Sequence, residues 1–396
     1  MDCMIQNGAK IRVLGVGGAG GNAINNMIAA GLDGVDFIAA NTDFQALERS
    51  LAGNKVQLGV NLTRGLGAGG KPETGAKATE ENIDQIREML QDSDMVFIAA
   101  GLGGGTGTGG APIIAQACKE LGALTVAIVT RPFRSEMKVR TDNADNGLKA
   151  LRSVVDTLIT IPNDRLVALA DRRATLLDMF KKADDILLDA VKGITELITR
   201  PGIINVDFAD VKTVMSEMGM ALMGTGVGRG ENRAVEAAQQ AISSPLLEDV
   251  SIRGARAALV NICANQDLGM MEFEEISNIV TKEIDDDNVN IILGTAIDDS
   301  FDDELRVTVI ATGIGNHEEK LKPKSGVRFG SIPRVPVNPG PTYEIPEAGR
   351  RLKRPPIEPR EAEAPPKRKS FFTRLAKSKM DEDDWNIPTF IRKQVD

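Results

Sequence analysis

The chain is expected to fold as an α/β protein: a doubly wound parallel-sheet domain joined by one long helix to a smaller α/β domain, with a disordered tail. Three observations carry this. Short, almost wholly apolar segments alternate with helical patterns from Ile11 to Pro162, as strands of a parallel sheet buried on both faces do. Two glycine-rich loops, Gly15 to Asn22 and Gly103 to Gly110, each follow such a segment and precede a helical pattern. A long run from Thr175 to Thr199 then repeats apolar residues at three- and four-residue steps, and a second alternation follows it.

In chain order, strands are expected at Ile11 to Val16, Val35 to Ala40, Met95 to Ala100, Leu124 to Val129 and Leu158 to Ile161. The loops at their C-terminal ends are the usual place for a ligand. The long helix carries Leu176, Leu177, Phe180, Ala183, Leu187, Val191, Ile194 and Ile198 on one stripe, and Pro201-Gly202 stops it. Beyond it come a helix at Glu231 to Ile242, a strand at Ala257 to Ile262, a helix at Glu272 to Ile284, and strands at Val289 to Gly294 and Leu305 to Ala311. This smaller half has no phosphate-type glycine loop, so it reads as a scaffold or partner-contacting domain. Eleven of the eighteen prolines lie between Pro323 and Pro366 among charged residues, too little apolar surface to offset the entropy of ordering. The expected organisation is a flexible start at 1–9, a ligand-binding domain at 10–174, a central helix at 175–200, a smaller domain at 201–315, a disordered linker at 316–380 and a terminal peptide at 381–396.

Composition limits the chemistry. The only histidine, His317, falls in the tail, so the folded body cannot build a Ser-His-Asp or Cys-His arrangement. Catalysis is left to carboxylates, backbone amides and a metal ion. Cys3, Cys118 and Cys263 are far apart with no C-x-x-C pair, and the last two sit in apolar patterns as core residues. No run approaches eighteen apolar residues and the first ten residues lack a signal pattern, so a cytoplasmic protein without membrane insertion is expected. Of the net charge of −9, residues 316–380 contribute +9 and 381–396 contribute −3, leaving −15 on residues 1–315. An acidic body argues against a specific nucleic-acid-binding domain.

Glycine loops between a strand and a helix serve either as tight turns or as cradles whose bare N–H groups collect phosphate oxygens; two of them favour a polyphosphate held from both sides. Gly15-x-Gly17-x-x-Gly20 with Asp36 satisfies the dinucleotide fingerprint, but that fold does not explain the second loop. Gly65 to Lys71 nearly spells a Walker A loop, but Pro72 stands where a hydroxyl must meet magnesium.

Gly103-Gly-Gly-Thr-Gly-Thr-Gly109 matches the tubulin signature loop, and the chain resembles the FtsZ family of bacterial tubulin homologues from about Lys10 to Gly315 and again at its C-terminus. The likeness includes Asn41-Thr42-Asp43, Thr63 to Gly69, Ile161-Pro162-Asn163-Asp164, Asn205 to Val211 and Ile242 to Leu247. The resemblance implies a tubulin-like GTPase that binds GTP or GDP, with Mg2+ held mainly by the phosphates. It places Gly18, Ala19, Gly20, Gly21 and Asn22 on one side of the phosphates and Gly103, Gly104, Gly105, Thr106, Gly107 and Thr108 on the other. It assigns Glu136 to the ribose, Arg140 to a phosphate, Asp184 to guanine, and Asn163 and Phe180 to the same site. Asn205, Asp207 and Asp210 are implied to act on the nucleotide of the next subunit in a head-to-tail homopolymer, since a helix rising about 1.5 Å per residue carries them roughly 20 Å from Asp184. The resemblance further implies a cytokinetic ring at the mid-cell division site and membrane tethers of the FtsA and ZipA kind on Asp384 to Gln394. There Trp385, Ile387 and Phe390 supply apolar anchors beside Arg392 and Lys393. Four positions depart from the family pattern: Ser135-Glu136-Met137 replaces Phe-Glu-Gly, Lys71 stands at a usual Asn, and Ala19 at a frequent Gly.

Overall fold

The computed structural model describes residues 8–314 apart from 170–172, 218, 248–251, 253 and 285–288; the linker expected at 316–380 and the peptide at 381–396 lie outside the described residues. Among the described residues ten strands form one sheet: β1 (Ile11–Val16), β2 (Asp36–Asn41), β3 (Asn54–Gln57), β4 (Met95–Gly101), β5 (Leu124–Arg131), β6 (Thr157–Pro162), β7 (Gly219–Arg229), β8 (Ala257–Ala264), β9 (Asn290–Ile297) and β10 (Glu304–Ile314). Their order is β3-β2-β1-β4-β5-β6-β7-β10-β8-β9.

All pairings from β3 to β7 are parallel, whereas β10 runs antiparallel to both β7 and β8. The parallel strands are buried on both faces, with Phe97, Ile98 and Leu14 fully enclosed, which is why they read as continuous apolar runs. β1 has β2 on one side and β4 on the other, so chain order reverses between β1 and β4, where a crevice opens beyond the strand C-termini.

Sequence reasoning joined the two halves only by a helix. The structure adds a second joint: Thr157, Leu158 and Ile159 of β6 pair with Gly219, Met220 and Ala221 of β7, making the sheet continuous.

The helix Leu176–Thr199 begins at a capping box, with the Thr175 hydroxyl accepting from Asp178 N at 3.2 Å and the Asp178 carboxylate accepting from Thr175 N at 2.8 Å. Its Leu187, Val191 and Ile194 are fully buried in a core shared with β1, β4 and β8. Gly193 lets it approach β10 and β8. A Cβ there would lie 2.9 Å from the Thr308 methyl, and Asn261 Nδ2 donates to the Gly193 carbonyl at 3.0 Å. The expected apolar stripe is too long by a turn: Leu176 and Leu177 are 65% and 77% exposed, because the first turn extends past the packed core.

Candidate functional site

β1 runs straight into the helix Gly17–Ala29, and β4 leads through a short turn into the helix Thr106–Glu120. Neither helix has a side-chain N-cap, since Val16 and Gly105 hold those positions without a capping hydrogen bond. The first-turn N–H groups are therefore unpaid donors at the positive ends of two helix dipoles. Both turns border one cleft of about 240 Å³, lined on this side by Gly18, Ala19, Gly104, Gly105, Thr106 and Gly107. Positions 18 and 104 have open space where a Cβ would stand. The rest of the lining includes Thr130, Pro132, Glu136, Arg140, Asn163, Phe180 and Asp184.

Gly20, Gly21, Asn22, Gly103 and Thr108, all expected at the ligand, do not line the cleft. Gly20 serves packing: a Cβ on it would meet the Ala99 carbonyl at 2.3 Å, so only glycine lets this helix cross β4. Gly103 turns the chain at φ +100°, and its N–H donates to the buried Thr108 hydroxyl at 2.9 Å, which fixes the second loop. Gly21 is partly exposed and Asn22 exposed, both in the second turn of the first helix. Thr42 and Thr106 share a buried hydroxyl bond of 2.6 Å that ties the β2 end to the second loop.

At the opposite end the central helix contributes Phe180, Ala183 and Asp184. Phe180 packs edge-on against Phe133 with ring centroids 5.5 Å apart. Burial, with Asp185 as a second cause, pushes the Asp184 carboxyl up to about 7. Asp185 is held by Asn26 Nδ2 at 2.9 Å, so the like charge stays beside it. Asn163 is 4% exposed and its Oδ1 is buried without a hydrogen-bond partner. A buried carboxyl whose ionised form has no cation beside it and an acceptor left unpaired both suit a ligand edge rich in N–H donors.

Glu136 and Arg140 pair with each other at the mouth, and Glu136 Oε1 also accepts from Phe133 N at 3.0 Å. Between them Met137 takes φ +75° and ψ 161°, a conformation that glycine adopts freely and other residues adopt at a cost. Met137 thus stands in a backbone conformation suited to the glycine usual in the family. Lys71 is exposed and does not line the cleft; its backbone caps the helix Pro72–Glu81 and backs Gly105, where a Cβ would come within 3.0 Å of Lys71 N.

Asn205, Asp207 and Asp210 lie beyond the far end of the 24-residue central helix and do not line the cleft. All three are exposed. Asp207 caps the helix Phe208–Met215, its Oδ1 accepting from Asp210 N at 2.8 Å. Asp36, the acid of the dinucleotide fingerprint, begins β2 at the end opposite the cleft and pairs with Arg12 at 3.8 Å, so it cannot hold a ribose there. Cys118 and Cys263 are buried core residues.

Two uncapped helix ends and an N–H-seeking pocket at the switch point of a parallel sheet define a nucleotide-binding protein, here with its outlying acids on a second α/β half. Residues 10–171 match the model of the Tubulin/FtsZ family GTPase domain, and residues 219–315 that of the FtsZ family C-terminal domain. The cell division protein FtsZ of Coxiella burnetii is 59% identical over 309 residues, 78% of this chain and 80% of that protein. That of Pseudomonas aeruginosa is 48% identical over 390 residues, 98% of this chain and 97% of that protein. Among solved structures, an empty FtsZ dimer from M. jannaschii superposes with a TM-score of 0.74 at 48% identity, over 78% of this chain and 89% of that one. The chain belongs to the FtsZ family of tubulin-like, filament-forming GTPases.

Proposed function

We propose that the chain binds GTP in this cleft, stacks head to tail on copies of itself, and hydrolyses the nucleotide where two copies meet. The observation that carries this is the separation of the cleft from Asn205, Asp207 and Asp210 by the central helix. One copy holds the substrate but not the acids; stacking brings the acids of one copy to the cleft of the next.

In this reading the N–H groups of Gly18, Ala19 and Gly104 to Gly107 hold the phosphates, with Gly20, Gly103 and Thr108 shaping the two loops and Gly21 and Asn22 flanking them. Asp184 accepts from guanine N1–H and the 2-amino group, an edge that adenine does not offer. Asn163 supplies a further acceptor, Phe180 an apolar wall, Glu136 a ribose contact and Arg140 a phosphate contact. Asn205, Asp207 and Asp210 orient and polarise the attacking water at the neighbour's γ-phosphate. The two carboxylates that line the cleft, Glu136 and Asp184, are taken by the ribose and the base in this reading, which fits a magnesium ion held mainly by the phosphates. When bound, that ion neutralises charge on the β- and γ-phosphates.

The proposed role is assembly of the cytokinetic ring in the cytoplasm at mid-cell, with Asp384 to Gln394 recruiting FtsA- and ZipA-like membrane tethers. This is supported by the match to the Pseudomonas protein, which runs nearly the whole chain. Among the described residues no helix is long and apolar enough to cross a membrane, so a protein tether is consistent with the fold.

Right-angle light scattering beside phosphate release tests the function. GTP should raise scattering and GDP should not, with turnover per molecule rising with protein concentration before it levels. Equal assembly with ATP, or turnover per molecule that ignores concentration, would contradict it.

A further inference from the structure

The loop bearing Asn205 and Asp207 leaves the central helix at Arg200, and the charges at that junction have no part in the chemistry above. Glu196, one turn before the helix end, is only 1% exposed. Its Oε2 accepts from Arg306 Nη2 of β10 at 2.8 Å. Its Oε1 is buried with no hydrogen bond, flanked by Lys192 Nζ and Arg200 Nη1 at 3.7 Å each. Arg200 Nη1 donates to Asp298 Oδ2, just past β9, at 2.5 Å, and Asp298 Oδ1 accepts from Ser300 N and Oγ.

Glu196, Asp298 and the Cys263 thiol bring potential metal ligands within 4.8 Å of one another. Three cations already surround the two carboxylates, and burial pushes the thiol up to about 11. The group is an ion-pair lattice rather than a cation site.

β9, which ends one residue before Asp298, also grips the loop. Thr295 N donates to the Ile204 carbonyl at 3.0 Å, and Thr295 Oγ1 accepts from Ile204 N at 2.8 Å. Ile297 N donates to the Pro201 carbonyl at 3.3 Å, and a Cβ on Gly202 would strike the Thr295 carbonyl at 1.7 Å. Gly202 N donates to Asn205 Oδ1 at 2.8 Å, which orients that amide. Hydrogen bonds thus set the loop's middle, while its first residue, Arg200, is held by its N–H to the Glu196 carbonyl at 2.9 Å and by its charged side chain between Glu196 and Asp298. A buried ion pair is a weak source of stability, because desolvation offsets most of its attraction.

We propose that Glu196 is a positioning residue for hydrolysis. Through Arg306 on one side and the Arg200–Asp298 pair on the other, it locks the end of the central helix to β9 and β10. The lock fixes the aim of Asn205 and Asp207 toward the neighbouring copy, so the proposal rests on the shared-site reading given above. Small displacements of such groups are costly: a misplacement of about 1 Å can lower a rate about 100-fold.

The test uses the full chain in three forms: Glu196→Gln, the double variant Glu196→Leu with Arg306→Met, and Asp207→Ala. For each, GTP affinity, GTP-dependent pelleting, thermal stability and turnover per pelleted subunit are measured. Glu196→Gln should bind GTP within about threefold of the parent and pellet, with turnover lowered about tenfold or more. The double variant, which removes the buried pair and leaves no orphaned charge of that pair, should return to near-parental thermal stability while its turnover stays low. Parental turnover in Glu196→Gln, turnover in the double variant that recovers with its stability, or loss of pelleting despite normal GTP binding would each overturn the proposal. Parental turnover in Asp207→Ala would instead remove the shared-site reading beneath it.

Discussion

The most informative perturbation of the proposed base pocket is pH, because the Asp184 carboxyl lies up at about 7 through burial and the neighbouring Asp185. Folding raises this carboxyl above its ordinary range. Its contribution to the stability of the ligand-free protein is therefore full below about pH 4 and is lost as pH rises through about 7. Affinity for guanine nucleotide moves the opposite way, because a base that presents two donors engages the ionised form. With a carboxyl near 7, the apparent dissociation constant should be within about 10% of its plateau at pH 8, about tenfold weaker at pH 6 and about 30-fold weaker at pH 5.5. Calorimetric titration of GDP across this range measures it, with Asp184→Asn carried in parallel so that the terminal phosphate's own titration is subtracted. Asp184→Asn should bind less tightly at pH 8 and keep only the phosphate's dependence. If it shows the parental pH dependence, Asp184 is not the group that meets the base.

The loop glycines should separate into two kinds. Gly20→Ala forces a methyl against the Ala99 carbonyl and should destabilise the fold by about 1–3 kcal/mol in urea denaturation, while Gly18→Ala, with open space at that position, should leave stability unchanged and weaken nucleotide binding. Met137→Gly should stabilise the protein by about 1 kcal/mol, since it removes strain of about 1–3 kcal/mol and returns roughly 0.5–1 kcal/mol to the unfolded chain. Its 74% exposed side chain gives up little packing, and GTP affinity should change less than about tenfold because the Glu136–Arg140 pair is retained. Loss of stability would contradict the strain argument. Deleting residues 381–396 should leave GTP-dependent pelleting intact and abolish co-sedimentation with tether-loaded vesicles; normal recruitment would refute the terminal-peptide assignment.

The parallel strands were legible because burial on both faces leaves them almost purely apolar, and each expected span agrees with the structure to within a few residues. β3 escaped notice because Asn-Lys-Val-Gln, at the sheet edge, carries a single apolar residue. β7 escaped for a different reason. Its alternate glycines, Gly224, Gly226 and Gly228, look like poor strand formers, yet Cβ atoms on them would stand 1.9–2.1 Å from carbonyls of the helix Arg233–Ile242. They are glycine so that this helix can lie directly on the strand. The same ambiguity limited the site. A glycine motif marks where backbone comes close to something, and for Gly18 and Gly104 that is the open cleft, whereas for Gly20 it is β4. Thr130 and Pro132 carry no motif; they line the cleft because β5 and its following turn end there.

The central claim is that one catalytic site needs two copies, and mixing two variants tests it most directly. Asp207→Ala keeps an intact cleft and lacks the acid, whereas Gly104→Asp keeps the acid and puts a carboxylate into the cleft where the proposed function places the phosphates. Each variant alone should release little phosphate. Mixed at equal concentration, they should release clearly more than the sum of the two, because the interface that joins an intact cleft to an intact Asp207 is restored. A mixture no more active than that sum, with both variants shown to co-pellet, would contradict the shared site.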